Sequence, residues 1–418
     1  MRKTRAISAI FLFSAIHCLT AVLLGQSHLD PNTLGRIDGM MEGWIAEKKF
    51  PGGAVLISQG DQIRKFSTYG TIDGVDTALD ADTLYRFYSM TKPVTVAAAL
   101  ILYEQGAFLL DDPIDQLWPE MKKLRVYVSG EGDSMVTKVP DAYPTVRDLM
   151  MHTSGFFYAY SDHPAHRALM EIELSEADVS ISDVALKIAE VPLLFEPGER
   201  WNYGLSQDVL AGLVEYLSGQ RFGSFLSNEI FEPLGMDSFG HLSQIVDTAS
   251  LMTLYTLSED GEFVEMGSDE RWIADPRIEW GGSGLIGTAE DYWRFARMLM
   301  QGGELEGKRI LSSASVHYML SNHLTDSQIP YEAPGSPYER FAKGFGFGLG
   351  VKVMMNPNLS GNLSSVGESG WSGAASTHFW MIPEHDIVVI FLTQNRAFLE
   401  IQPLAEMVKV AVYQSLID

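Results

Sequence analysis

Alternating, strand-like segments lie near the two ends of this chain, and the long stretch between them reads as helices and loops. That distribution restricts the fold more than any other feature, because the strands must come together across the sequence to bury their apolar faces. Residues 53–62 read as a strand and a turn, and 63–69 as the returning strand. A third short strand falls around 83–87. Near the other end, residues 344–351 alternate with glycine, and 376–382 and 387–393 form a hairpin across Pro383-Glu384-His385-Asp386. Helical spacing marks residues 31–47 at one end and 403–416 at the other. The expected organisation is a discontinuous α/β domain of residues 28–88 plus 335–418, with a mainly helical domain of residues 89–334 inserted between its halves. At 418 residues the chain also exceeds the size at which one core usually stops growing.

Within the middle stretch, Thr145 to Asp148 opens a short helix with a capping box, ending at Ser154-Gly155. Val209, Leu210, Leu213, Val214 and Leu217 mark a helix closed by Gly219. Another helix is capped at Thr288 and stopped by Gly302-Gly303, and residues 131–143 read as a surface loop.

Met1-Arg2-Lys3-Thr4-Arg5 precedes an apolar run over residues 6–24 and the small residues Gly25-Gln26-Ser27. This is the pattern of a secretory signal peptide over residues 1–25, for which a single N-terminal membrane anchor is the alternative. Export to the periplasm or outside the cell is therefore expected. The sole cysteine, Cys18, lies inside that segment, so the mature chain carries no disulfide and relies on its core. A net charge of −24 argues against nucleic acid or an anionic membrane surface as partner. Membrane contact is expected only where the N-terminal segment stays uncleaved.

The chemistry centres on Ser89-Met90-Thr91-Lys92, which opens an apolar helical run reaching Glu104 and stopping at Gly106. Pro93 suits a first helical turn, and Ser89 suits its N-terminus. Side chains three apart share a helix face, which lets the Ser89 hydroxyl meet the Lys92 amine. A serine nucleophile needs such a neighbour, together with a base and an oxyanion site from elsewhere. Tyr203 lies just ahead of a helix, where a nearby ammonium is expected to favour its phenolate. Gly370 to Ala375 begins a strand with small residues whose amides a substrate can approach.

Several segments in order then resemble a known family. They are Ser89-Met90-Thr91-Lys92-Pro93, Asp111-Asp112-Pro113-Ile114, Leu149-Met150-Met151-His152-Thr153-Ser154-Gly155 and Pro197-Gly198-Glu199-Arg200-Trp201-Asn202-Tyr203. Gly281-Gly282-Ser283-Gly284-Leu285 and His378-Phe379-Trp380-Met381-Ile382-Pro383 complete the set. The chain resembles serine hydrolases of the class C β-lactamase and penicillin-binding-protein superfamily, most of all its esterase branch. The resemblance implies a β-lactamase/transpeptidase-like α/β fold: an antiparallel sheet flanked by helices, with an inserted helical domain. It implies Ser89 as acyl-accepting nucleophile, Lys92 keeping the site cationic, and Tyr203 as general base and then acid. The backbone N–H groups of Ser89 and Ala374 would form the oxyanion hole, and no cofactor or metal is implied. Trp371, Ser372, Gly373, Leu205 and Trp280 are the residues it places along the substrate.

Two departures bear on specificity. The family's Tyr-x-Asn falls on Tyr203-Gly204-Leu205, and its Lys-Thr-Gly on Trp371-Ser372-Gly373. Neither Leu205 nor Trp371 pairs with a carboxylate, which favours a neutral, apolar small-molecule ester over a β-lactam or a D-amino-acid peptide. Those remain the alternative substrates, and a non-catalytic binding protein using the same cleft is the alternative of a different class. Arg340 and Lys343 are candidates to replace the missing cation.

Rival motifs are weak. Gly282-Ser283-Gly284-Leu285-Ile286-Gly287 matches a dinucleotide pattern without the strand and helix it needs, and reads as a glycine loop near the site mouth. His163-Pro164-Ala165-His166 reads as solvated loop histidines rather than metal ligands, and His152 as packing or capping within its turn. No G-x-S-x-G pentapeptide is present.

Overall fold

The computed structural model describes residues 28–158, 162–172, 180–245, 247–258, 260–266, 277–328 and 343–417. The expected signal segment with Cys18, and Arg340, lie outside them. Both ends of the chain meet in one antiparallel seven-stranded sheet. Its strands are β1 (Gly52–Gln59), β2 (Gln62–Gly70), β3 (Phe345–Phe347), β4 (Lys352–Met354), β5 (Ser369–Gly373), β6 (Thr377–Ile382) and β7 (Ile387–Leu392). The spatial order is β3-β4-β5-β6-β7-β1-β2. The seam between the two ends is the β7–β1 pairing, which runs from Ile387 opposite Gln59 to Leu392 opposite Ala54.

Period-two alternation explains why the sheet sits inside the molecule. Ala54, Leu56, Phe379, Met381, Val388 and Ile390 face the inserted helices, and Val55, Ile57, Trp380, Ile382, Val389 and Phe391 face the other way. The outer face is covered by α1 (Arg36–Ala46), through Ile37, Met41 and Trp44, and by the closing helix. The inner face is covered by α2 (Thr91–Glu104), α3 (Ser206–Ser218) and α4 (Ala289–Met300), within a core that runs unbroken from Leu56 and Phe379 to Val94 and Leu210. In α2 every residue from Thr91 to Leu102 is buried, so it is a central helix with no solvent face.

The structure differs from the sequence expectations at several points. The closing helix α5 spans Phe398–Gln414 with Pro403 inside it, and Leu416–Ile417 instead pairs with His28–Leu29. The interior proline forgoes one ladder bond, which burial of Ile401, Ala405 and Val408 on the sheet outweighs. The 344–351 strand stops at Phe347, because Gly348 N–H turns back to Val351 carbonyl and makes β3 and β4 a hairpin. The third short strand, Tyr85–Arg86, joins Leu285–Gly287 and Gly240–His241 in a small separate sheet. Within the expected 131–143 loop, Val136–Lys138 pairs with Val126–Ser129. Helix α4, expected in the inserted domain, lies on the sheet. Its Trp293 indole donates to Ser58 Oγ at 2.8 Å, and Tyr292 packs on Phe379 with ring centroids 5.1 Å apart.

Candidate active site

Ser89 stands at the junction of the two halves. It lies in a single 3-10 turn, Tyr88–Met90, ahead of α2 rather than at its cap, which is Met90. Tyr88 takes a left-handed φ of 47°, a strained conformation for a bulky residue, held by burial of its ring beneath the Arg396 guanidinium. The turn is fixed from the sheet side as well. A Cβ on Gly373 would stand 2.2 Å from Phe87 carbonyl oxygen, and Thr377 Oγ1 donates to that same oxygen at 3.2 Å. Only glycine lets β5 approach the nucleophile's turn this closely.

Lys92, one helical turn on, is fully buried. Its Nζ lies 3.1 Å from Ser89 Oγ and 3.1 Å from Tyr158 Oη, and it donates to Gly282 carbonyl at 2.7 Å. It also stands 4.7 Å from the centre of the Tyr203 ring. Burial pushes the ammonium well below its ordinary range, against the pull of Asp208. Asp208, buried on α3, is pushed up by its own burial against Lys92 and the Gly282 N–H that it accepts at 2.7 Å. Burial thus eases loss of the Lys92 proton, while the Asp208 carboxylate is the counter-charge that opposes that loss.

Tyr203 corrects the sequence argument. Burial raises its phenol well above the ordinary value and outweighs the bonds from Ser89 and from Trp371, whose indole donates at 3.4 Å. A standing phenolate is therefore disfavoured. Around it lies an aromatic wall. Trp201 is stacked at 6.0 Å, Trp371 lies at 5.6 Å and Tyr158 at 5.4 Å between ring centroids, and Phe347 meets Trp371 edge-on at 5.3 Å.

The structure thus brings Ser89, Lys92, Tyr203 and Trp371 together, packs Gly373 on the turn that carries Ser89, and turns Ser372 away. Ser372 points to the opposite sheet face, as strand alternation requires, where its hydroxyl meets His378 Nδ1 at 2.7 Å. Leu205 and Trp280 are buried in the core. The glycine loop forms the floor of the site rather than its mouth: Thr95 Oγ1 donates to Gly281 carbonyl at 2.6 Å, and Thr91 Oγ1 accepts from Leu285 N–H. His152 ends its short helix in a left-handed conformation, accepts from Gly204 N–H at 3.4 Å and packs 4.8 Å from the Tyr203 ring. His166 is buried against Phe157 and not solvated, and His163 caps the helix Pro164–Met170. Lys343 is exposed. Tyr158 and Asp208 were missed in the sequence. No motif marks Tyr158, whereas Asp208 was findable as a carboxylate in the first turn of a largely apolar helix.

A family model described as Beta-lactamase matches residues 36–409. The chain belongs to the Beta-lactamase family. Protein Rv1367c of Mycobacterium tuberculosis is 32% identical over 350 residues, covering 82% of this chain and 86% of that one. Esterase EstB of Burkholderia gladioli is 25% identical over 398 residues, covering 90% of this chain and 94% of its own. Among solved structures, a variant of simvastatin synthase LovD from Aspergillus terreus superposes with a TM-score of 0.78 at 21% identity, covering 92% of this chain and 97% of the other. The fold is accordingly the β-lactamase/transpeptidase-like one, and this Beta-lactamase family member is a serine hydrolase.

Proposed function

We propose that this family member hydrolyses neutral, apolar carboxylic esters through an acyl-enzyme on Ser89. The observation that carries the reading is the buried Lys92 amine 3.1 Å from Ser89 Oγ, beside an aromatic wall in which Trp371 stands at the position where the family resemblance implies a lysine. The esterase name of the Burkholderia gladioli relative supports the same substrate class.

In this mechanism Lys92, as the amine, takes the Ser89 proton while Oγ bonds to the carbonyl carbon. The carbonyl π pair moves onto oxygen, where the N–H groups of Ser89 and Ala374 receive it. Collapse of that intermediate breaks the carbon–alkoxy bond, and the leaving oxygen takes a proton from Tyr203, which is restored from the Lys92 ammonium. Water then attacks the acyl group, losing a proton along the same relay and returning Ser89 to its hydroxyl form. Lys92 is here the base and Tyr203 the relay, because burial pushes the amine down and the phenol up.

Fluorophosphonate labelling alongside nitrophenyl ester turnover tests the reading. Ser89→Ala is expected to lose the label and on the order of 10³–10⁶-fold in kcat. Labelling that survives in Ser89→Ala overturns it.

A further inference from the structure

Asp208 is a fully buried carboxylate with no role in the proton transfers above. It reaches the nucleophile's partner through a single residue. Asp208 Oδ1 accepts the Gly282 N–H at 2.7 Å, and the Gly282 carbonyl accepts a Lys92 N–H at 2.7 Å. A glycine is required at the link, since a Cβ there would lie 2.6 Å from Asp208 Oδ2. The neighbouring Gly281 is clamped in turn: its carbonyl takes Thr95 Oγ1, and a Cβ on it would lie 2.4 Å from Gln207 carbonyl oxygen. The loop is thus fixed to α2 through Thr95 and to α3 through Gln207, and Asp208 adds the bond that orients the Gly282 peptide itself.

We infer that Asp208 is a positioning residue for the hydrolysis, setting the place of the Lys92 amine through the Gly282 peptide and supplying its buried counter-charge. This rests on the ester-hydrolase reading of Ser89. The geometry assigns the two jobs to separable properties of one side chain. The bond to Gly282 N–H orients the loop, so that the Gly282 carbonyl holds one Lys92 hydrogen and leaves the lone pair aimed at Ser89. The negative charge governs when Lys92 gains its extra proton. The other groups facing Lys92 are the Tyr158 and Tyr203 phenols and the Ser89 hydroxyl, none of them a carboxylate, with the His152 imidazole near Tyr203 pushed toward its neutral form by burial and by Lys92 itself. Among the described residues Asp208 is thus the carboxylate that acts on the amine, and an uncompensated buried charge is costly.

Asp208→Asn and Asp208→Glu separate the two jobs. Asparagine keeps an acceptor for Gly282 N–H and removes the charge. The acid limb of its labelling rate against pH is expected to move to lower pH by about one to three pH units, because a lost counter-charge makes Lys92 easier to deprotonate. Glutamate keeps the charge and displaces the acceptor by a methylene. Its limb is expected to stay in place while kcat falls on the order of tenfold or more at little-changed KM, the signature of a misplaced catalytic group. An asparagine variant whose limb coincides with that of the wild type, or a glutamate variant with wild-type kcat, overturns the assignment. Where Asp208→Asn gives no cooperative thermal transition, the glutamate arm decides alone. Labelling retained by Ser89→Ala would instead overturn the ester-hydrolase reading, so the two failures are distinguishable.

Discussion

Gly373→Ala tests how closely the sheet must approach the nucleophile. The added Cβ would stand 2.2 Å from Phe87 carbonyl oxygen and 2.2 Å from Thr377 Oγ1, about 1.2 Å short of an ordinary contact of 3.4 Å. Thr377 can rotate, but Phe87 carbonyl belongs to the backbone and is already held, since Met90 N–H donates to it at 3.1 Å. The end of β5 must therefore back away from the Ser89 turn by roughly 1 Å, taking the Ala374 N–H with it. Removing one oxyanion donor costs about 10²–10³-fold in kcat, and a 1 Å misplacement costs on the order of 10²-fold. A loss of about 10²-fold, or ~2.7 kcal/mol of transition-state stabilisation, is thus expected. The overpacking itself should lower stability by about 1–3 kcal/mol. The assay is kcat for a nitrophenyl ester, normalised to active sites titrated with fluorophosphonate, beside a urea midpoint for the same preparation. Folded enzyme with kcat within about twofold of wild type would refute the idea that β5 supplies an oxyanion donor.

Trp371→Lys places an ammonium where an indole now meets Tyr203. A charge-assisted bond to a substrate carboxylate contributes roughly 1.5–3 kcal/mol, so kcat/KM for an anionic cephalosporin should rise about 10- to 150-fold while neutral ester turnover falls. No gain on the cephalosporin would remove Trp371 as the determinant of specificity. His378, behind β5, gives a pH signature of stability. Burial lowers its imidazole to about 3, with Lys352 and Lys409 adding to the shift and Glu406 opposing it. The unfolded chain binds that proton near pH 6.5, so its contribution is complete above that pH and is lost as pH falls toward 3, with a slope of up to about 1.4 kcal/mol per pH unit. Denaturation midpoints between pH 7 and 4 should fall less steeply in His378→Gln; an identical slope would mean that His378 titrates alike in both states.

The sequence by itself determined the local geometry and the chemistry that local geometry carries. Ser89 and Lys92 are three residues apart on one short stretch of backbone, so their meeting needed only helical spacing, and the structure has their heteroatoms 3.1 Å apart. The hairpins β1–β2 and β6–β7 and the helix opened by Thr145 were legible for the same reason, because turn and cap residues act over a few positions. What tertiary structure decided was environment. Opposite charge argues for an ionised Tyr203, and a local reading sees that charge. The partial burial that reverses the argument comes from its packing among Trp201, Tyr158 and Trp371, residues spread over some 200 positions of the chain. Ser372 and Trp371 are neighbours in sequence, yet the pleat sends one to His378 on the far face and the other to the cleft. Asp208 joined the site only when α3 packed on α2 with Gly282 between them. A side chain's protonation and the face that it serves depend on groups tens to hundreds of residues away, and periodicity in the sequence carries no record of that distance.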